Sequence, residues 1–209
     1  MDRELAGEAL PDPVVRRLMT IPGVDAISAI SIIAAVGDFT RFSSPDKLVA
    51  CFGLNPTVRQ SGNSAPVHGR ITKAGRAQVR GVLVEAAWSA SRAPGPLRAF
   101  YQRIKARRGF QVAIVATARK MSVLAWHLVS KDQDYAFARP SFVAHKRREL
   151  ELTAGMASQR GNRRGAGYAY NDKQHRTAEK ALVEQAERNY AVLVSGWQPR
   201  RPHRTREEP

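Results

Sequence analysis

The sequence has little cysteine, few aromatic residues and no long apolar run, and each shortage argues against a class of protein. Cys51 is the only cysteine in 209 residues, so neither a disulfide framework nor a cysteine-rich zinc site can form within one chain. The longest apolar run, residues 26–36, is interrupted by serines and is too short to cross a bilayer. The first residues lack the basic start and apolar segment of a signal peptide. We therefore expect a cytoplasmic protein with no membrane partner.

Acidic residues are nearly absent from the middle of the chain. From Lys47 to Lys131 there are 15 lysines and arginines but a single acid, Glu85, and the whole chain has a formal net charge of +16. A solvated charged face usually carries both signs, whereas a surface this basic attracts the phosphates of nucleic acid. DNA is therefore the first partner to expect.

The spacing of apolar residues predicts a mainly α protein. We expect a helix–hairpin–helix followed by a compact helical domain with a short loop or hairpin insertion, and then a C-terminal arm plus helix. The predicted divisions are a leader at 1–12, a main domain at 13–137 with the helix–hairpin–helix at 13–37, a basic linker at 138–171, and a C-terminal helix and tail at 172–209.

The turn at residues 20–25 contains the sequence Ile-Pro-Gly-Val. A Pro-Gly turn between short helices can offer backbone N–H groups to a phosphate, with Gly23 at the closest approach. The usual second glycine is replaced by Asp25, which can cap the next helix but whose charge opposes a phosphate there. Both a DNA contact and a purely structural helical hairpin remain open at this point.

Two further segments predict basic helix surfaces. Thr72 is expected to cap a helix over residues 73–91, with Lys73, Arg76 and Arg80 in its opening turns. The next helix has its apolar stripe at Leu97, Phe100, Tyr101 and Ile104, so Arg98 and four further basic residues face outward. The four further residues are the predicted phosphate contacts: Arg103, Lys105, Arg107 and Arg108.

The loop at residues 58–64 is the most reactive-looking stretch. Ser61 lies beside Gly62, and a glycine lets the backbone approach a phosphate closely. A serine attacks phosphorus only with help from a base or from dense positive charge. His68 could be the base. The charge could come from five basic residues in or after the loop: Arg59, Arg70, Lys73, Arg76 and Arg80. From composition alone, the simpler interpretation is ordinary turn chemistry.

Several motifs, in order, resemble one protein family. They lie at residues 21–24, 37–42, 48–54, 59–62 (Arg-Gln-Ser-Gly), 69–75 (Gly-Arg-Ile-Thr-Lys-Ala-Gly), 80–87 and 113–120. Together they make residues 18–137 similar to the C-terminal domain of insertion-sequence transposases of the IS110/IS116/IS902 type.

The resemblance implies a serine-dependent DNA recombinase guided by an RNA. By position, the nucleophile would be Ser61, with Ser64 as the fallback. Members of this family carry an N-terminal nuclease-like domain whose acidic residues bind divalent metal, and only about 20 residues precede the match here. We therefore expect a truncated or split transposase that is inactive alone and has no metal site or cofactor of its own. A homo-oligomer or a full-length transposase would then be its protein partner, and the partner would supply the metal.

Two alternatives use the same basic residues without catalysis. One is a helix–hairpin–helix protein that clamps the nucleic-acid backbone. The other is an RNA-associated structural protein, against which the aromatic content of 7% argues mildly, because single strands bind by stacking on aromatic rings. An enzyme needs Ser61 and a clamp does not, so Ser61 separates the first reading from both alternatives.

Overall fold

A computed structural model describes residues 1–62, 65–158 and 172–196. Helices dominate these residues, and one two-stranded hairpin is the only sheet among them, which confirms the mainly α prediction. In chain order the elements are α1 (Arg3–Ala9), α2 (Pro13–Leu18), α3 (Ala26–Val36), a 3-10 turn (Phe39–Arg41), α4 (Pro45–Cys51), β1 (Pro56–Arg59), β2 (Val67–Ile71), α5 (Ala77–Arg92), α6 (Pro96–Arg108), α7 (Phe110–Ser130), α8 (Pro140–Thr153) and α9 (Lys173–Ser195).

The starts of the early helices follow the capping residues. The Asp12 carboxylate accepts a hydrogen bond from the Val14 amide at 2.7 Å, and Pro13 is the first residue of α2. The Asp25 carboxylate accepts from the Ser28 amide at 2.8 Å and so begins α3. Each cap satisfies an amide that has no partner inside its own helix. Asp12 followed by Pro13 predicts the first of these starts and Asp25 predicts the second, so the structure confirms both.

The core is centred on α7, which packs against α4, α5 and α6. The helical spacing of apolar residues over 111–130 predicts its buried face, and all five positions of that face are buried: Ile114, Ala118, Met121, Ala125 and Leu128. Two buried hydroxyls, on Thr117 and Ser122, donate to the carbonyls of the preceding turn at 2.8 and 3.1 Å, so they cost little inside an apolar core.

By length and composition, α7 is the one helix in the described part of the chain that could cross a membrane. Its packing in the core accounts for its apolar side chains. No membrane span follows from its composition.

The predicted linker at 138–171 is wrong for its first part, because residues 140–153 form α8. The buried positions of this helix are Ser141, Lys146 and Leu150. Two of these three are polar, so the segment lacks the apolar period that marks a buried helix face. The end of the predicted linker, residues 159–171, lies outside the described residues.

Lys146 explains how a basic residue can face the interior. Its ammonium group donates to three backbone carbonyls of the turn between α2 and α3: Met19 at 2.7 Å, Ile21 at 3.1 Å and Val24 at 2.8 Å. Only 8% of the residue is exposed. A buried ammonium is tolerated when every proton has an acceptor, and three carbonyls match its three protons.

The predicted leader at 1–12 is also more structured than expected. Residues 3–9 form α1, whose Ala6 and Ala9 are buried, and the helix packs against α3 and α8. The Arg3 guanidinium donates to the Ala154 carbonyl just after α8. A pair of alanines in a short acidic segment is too weak a signal to indicate a packed helix.

The predicted C-terminal helix is present as α9, and Asp172 caps it through the Gln174 amide at 2.8 Å. Its packed face differs from the prediction. The helical spacing of its apolar residues predicts Leu182 and Leu193 on the packed face, but they are 67% and 68% exposed, while Val183 is buried. The tail at 197–209 lies outside the described residues.

Candidate nucleic-acid interface

The predicted loop or hairpin insertion is an antiparallel β-hairpin. Val58 pairs with His68 and Arg59 with Val67, and an irregularity follows where the pairing shifts towards Pro56 and Ile71. Gly69 lies opposite Thr57, and an added Cβ would be 2.4 Å from the Thr57 hydroxyl. That hydroxyl donates to the Arg70 carbonyl at 3.1 Å. A glycine at this bulge lets the two strands stay close.

The outer part of the hairpin is exposed. Val58 and Val67 are 55% and 66% exposed, so this part of the strands does not pack on the helical core. Ser61 lies just beyond β1, is itself exposed, and precedes Gly62, whose φ is +56° and around whose Cβ position there is open space. The fallback residue, Ser64, lies outside the described residues. A large substrate can reach Ser61 without any rearrangement of the core.

Arg59 and Arg70 are on the same hairpin as Ser61, one on each strand. Both are exposed. No carboxylate in residues 1–62, 65–158 or 172–196 forms a salt bridge with either one. The two guanidinium groups on the hairpin are therefore available to an anion.

The segment after the hairpin is a loop, not the first turn of a helix. The prediction that Thr72 caps a helix from residue 73 is wrong: α5 begins at Ala77 with Arg76 before it. The Lys73 amide donates to the Gly53 carbonyl at 3.1 Å and the Arg76 amide to the Cys51 carbonyl at 3.0 Å. These contacts with the end of α4 hold the loop out of helical geometry.

Of the three basic residues in this region, Arg80 has a clear structural task. Its Nη1 atom donates to the carbonyls of Phe52, at 3.1 Å, and Lys73, at 3.2 Å. The group therefore ties the loop to α4 and is only partly available to a phosphate. Lys73 and Arg76 are exposed and stay predicted phosphate contacts.

The four basic residues at the end of α6 are all exposed, but they do not share one surface. Arg103 and Arg107 line a groove between α6 and α9. The Lys105 ammonium instead lies 5.9 Å from the ring centre of Tyr101, and Arg108 follows it by three residues, which places both on the same side of the helix. The four residues therefore form two pairs on different sides of α6.

Gly23 has a packing role. An added Cβ would lie 2.1 Å from the Ala86 carbonyl oxygen of α5, and its φ is +86°. The same turn receives the Lys146 ammonium on its carbonyls. The turn is thus held between α5 and α8, which favours the structural hairpin over the DNA contact that the sequence left open. A phosphate contact at Gly23 stays a prediction that this geometry does not support.

The described part of the chain has no cluster of metal ligands. It contains no group of three or more His, Cys, Asp or Glu side chains that could hold an ion. The side chain of His68, the base suggested by the sequence, is outside what the structure describes.

A family model covers the part of the chain that contains the hairpin. Residues 15–102 match the model described as transposase of the IS116/IS110/IS902 family. These residues are therefore similar to transposases of this family. The match runs from α2 into α6 and includes Ser61, Arg59 and Arg70.

Several curated proteins that are similar to this chain are named transposases. A transposase for insertion sequence element IS1111A from Coxiella burnetii is 30% identical over 138 residues, 64% of this chain and 38% of that protein. The putative transposase y4qE from Sinorhizobium fredii is 45% identical over 76 residues, 36% and 19% of the two chains. A probable family 20 transposase from Pseudomonas aeruginosa is 27% identical over 139 residues, 65% and 41%. The chain thus spans about two fifths or less of these relatives.

Proposed function

We propose that the chain carries the DNA-binding and strand-transferring part of an insertion-sequence transposase, with Ser61 as the nucleophile. The observation that carries the proposal is the placement of Ser61. It is exposed just beyond β1 between Arg59 and Gly62, on a hairpin that also presents Arg70, inside the residues that match the transposase family. This combination offers a hydroxyl, positive charge and an open approach for a DNA backbone.

The proposed step exchanges one phosphate ester for another. The Ser61 Oγ bonds to phosphorus while the bond from phosphorus to a deoxyribose oxygen breaks. A base takes the serine proton, and the departing oxygen takes a proton from water and leaves as a hydroxyl. Attack by a hydroxyl of another DNA end later joins the strands and releases the serine. Arg59 and Arg70 stabilise the extra negative charge that the phosphate carries in the transition state of each ester exchange.

The partners in this proposal follow from the motif resemblance. The substrate is duplex DNA, and an RNA guide selects the target. Acidic residues from another domain or another chain bring the divalent metal, so the chain does not act alone. A second copy, or a longer transposase, completes the assembly.

A covalent intermediate tests the nucleophile. The chain would be incubated with Mg²⁺, guide RNA, target DNA and the nuclease-like domain of a longer relative, and then denatured. We expect a DNA adduct in the wild-type protein that disappears in Ser61→Ala. Trypsin releases both candidate serines on one peptide, residues 60–70, so fragmentation must locate the phosphate. An adduct lost in Ser64→Ala instead would move the nucleophile to Ser64, and no adduct in any mixture would favour a non-catalytic clamp.

The salt dependence of binding tests the DNA partner independently of catalysis. Each neutralised phosphate contributes about −0.9 to the slope of log affinity against log salt on duplex DNA, so five contacts give a slope of roughly −4.5. Replacing Arg59 and Arg70 with glutamine should reduce the steepness by about 2 units. Fluorescence anisotropy between low and moderate salt measures both slopes. A flat response in the wild-type protein would reject the proposal.

A further inference from the structure

A groove of about 1050 Å³ lies between α6 and α9. It begins near Arg98 on α6 and continues to Val194 on α9. Ligand sites in proteins are typically concave and 300–1000 Å³ in volume, so the groove is large enough to enclose a ligand of one or two nucleotides. None of the motifs identified in the sequence includes the α9 side of it.

Three arginines in this groove have no acidic partner. Two glutamates also line it, but Glu187 pairs with Arg98 at 2.7 Å and Glu184 pairs with Lys180 at 3.7 Å. No carboxylate in the described residues forms a salt bridge with the remaining guanidiniums, which belong to Arg103, Arg107 and Arg188. A groove with three free positive charges favours a polyanion.

The rest of the lining is partly apolar and includes one aromatic ring, together with the polar side chains of Gln102 and Ser195. Tyr190 is half-buried and lines the groove beside Ala99, Ala191 and Val194. An aromatic ring next to free arginines suits a nucleobase joined to a phosphate, because bases stack on aromatic faces and guanidiniums hold phosphates. A simple inorganic anion would gain no binding energy from the ring or from the apolar lining.

The α9 side of the groove is held in place at one end. The Glu187 carboxylate accepts from Arg98 Nε at 2.8 Å and from the Gly95 amide, at the start of α6, at 3.0 Å. Val183 is buried against the same glycine, where an added Cβ would be 2.9 Å from its Cγ1 atom. The groove is therefore formed before any ligand arrives.

We propose that the groove between α6 and α9 binds an unpaired nucleic-acid strand. Phosphates contact Arg103, Arg107 and Arg188, and one base stacks on Tyr190. A base can reach this ring only when it is neither paired nor stacked on its neighbours, which selects a single strand over a duplex. The proposal rests on the proposed function only in requiring that the chain bind nucleic acid. It does not need Ser61.

Anisotropy with three probes tests the site: a 12-nucleotide oligo-dT, an oligo-rU of equal length and a 12-base-pair duplex. Tyr190→Leu removes the ring but keeps an apolar side chain, so it should weaken strand binding roughly ten-fold or more while duplex affinity changes less than about two-fold. Tyr190→Phe keeps the ring and should bind like the wild type. A difference in affinity between oligo-dT and oligo-rU tells whether DNA or RNA is the preferred ligand.

Charge is tested with a matched pair of variants on one helix. Arg188→Gln should weaken strand binding, whereas Arg176→Gln, also exposed on α9 but outside the groove, should leave it unchanged. Circular dichroism melts establish that each variant is folded. Three results would overturn the groove assignment and leave the proposed function standing. They are strand affinity that is unchanged in Tyr190→Leu, equal losses of strand and duplex affinity in that variant, and a wild-type chain that binds only the duplex. A chain that binds none of the probes rejects both.

Discussion

Gly23→Ala is expected to lower the free energy of unfolding by about 4 kcal/mol. The new Cβ would lie 2.1 Å from the Ala86 carbonyl oxygen, a backbone atom that cannot turn aside. Forcing the turn away from α5 costs roughly 1–3 kcal/mol as overpacking, and the left-handed backbone conformation adds about 1–2 kcal/mol for any residue with a Cβ. Urea unfolding monitored by circular dichroism measures the loss.

Gly37→Ala is the matched control for this prediction. Gly37 also has a positive φ, +68°, but no atom within 4 Å of its Cβ position. We expect it to lose only the backbone part, about 1–2 kcal/mol. Equal losses at the two glycines would mean that the turn yields easily and that its packing against α5 is not what requires a glycine.

Lys146→Met should cost about 2–4 kcal/mol at pH 7. Methionine fills a similar space but leaves the carbonyls of Met19 and Val24 without the donor that now lies 2.7 and 2.8 Å away. A buried acceptor deprived of its partner costs about 1–3 kcal/mol. Arg147→Met, next to it but exposed, should change the unfolding free energy by less than about 0.5 kcal/mol.

The same residue predicts a pH dependence. Burial lowers the pKa of Lys146 to about 8, against the opposing attraction of Asp25 and Glu149. Its ordinary value is 10.5, so between these two values the unfolded chain binds more protons than the folded one. The contribution of Lys146 to stability therefore rises with pH through this window, by about 1 kcal/mol from pH 7 to pH 9.

Lys146→Met provides the measurement. It lacks this titration, so the stability difference between wild type and variant should widen by about 1 kcal/mol over the same range. Other tyrosines and lysines titrate alike in both proteins and cancel. A difference that narrows towards pH 9 would show that the three carbonyls hold the ammonium form more strongly than burial disfavours it.

Local sequence signals predicted the elements whose causes are local. Aspartate followed by proline predicted the start of α2, and the apolar period of α7 predicted its buried face because that face is made of apolar residues alone. Turn-forming residues between α4 and α5 predicted the loop or hairpin there. In each case the interactions that form the element lie within a few residues of each other.

The missed features depend on contacts between distant residues. Lys146 is buried only because carbonyls more than 120 positions earlier accept its protons. Thr72 does not cap a helix because the end of α4 holds the following loop. The α6–α9 groove needs Glu187 to reach Arg98, 89 positions away. Ser61 was singled out by family resemblance, since its neighbours alone indicate an ordinary turn.

The attachment of α9 has a consequence for how the molecule opens. Glu187 accepts from the Gly95 amide just before α6, and Glu179, eight positions earlier, accepts from the Ser141 amide of α8 at 3.0 Å. Only Val183 of this helix is buried. The contacts of these two carboxylates and one valine are few compared with those inside the core. The helix α9 can therefore separate while the helices around α7 stay packed. Local opening of this kind has its own, smaller free energy, which makes α9 a cooperative unit distinct from the rest of the fold.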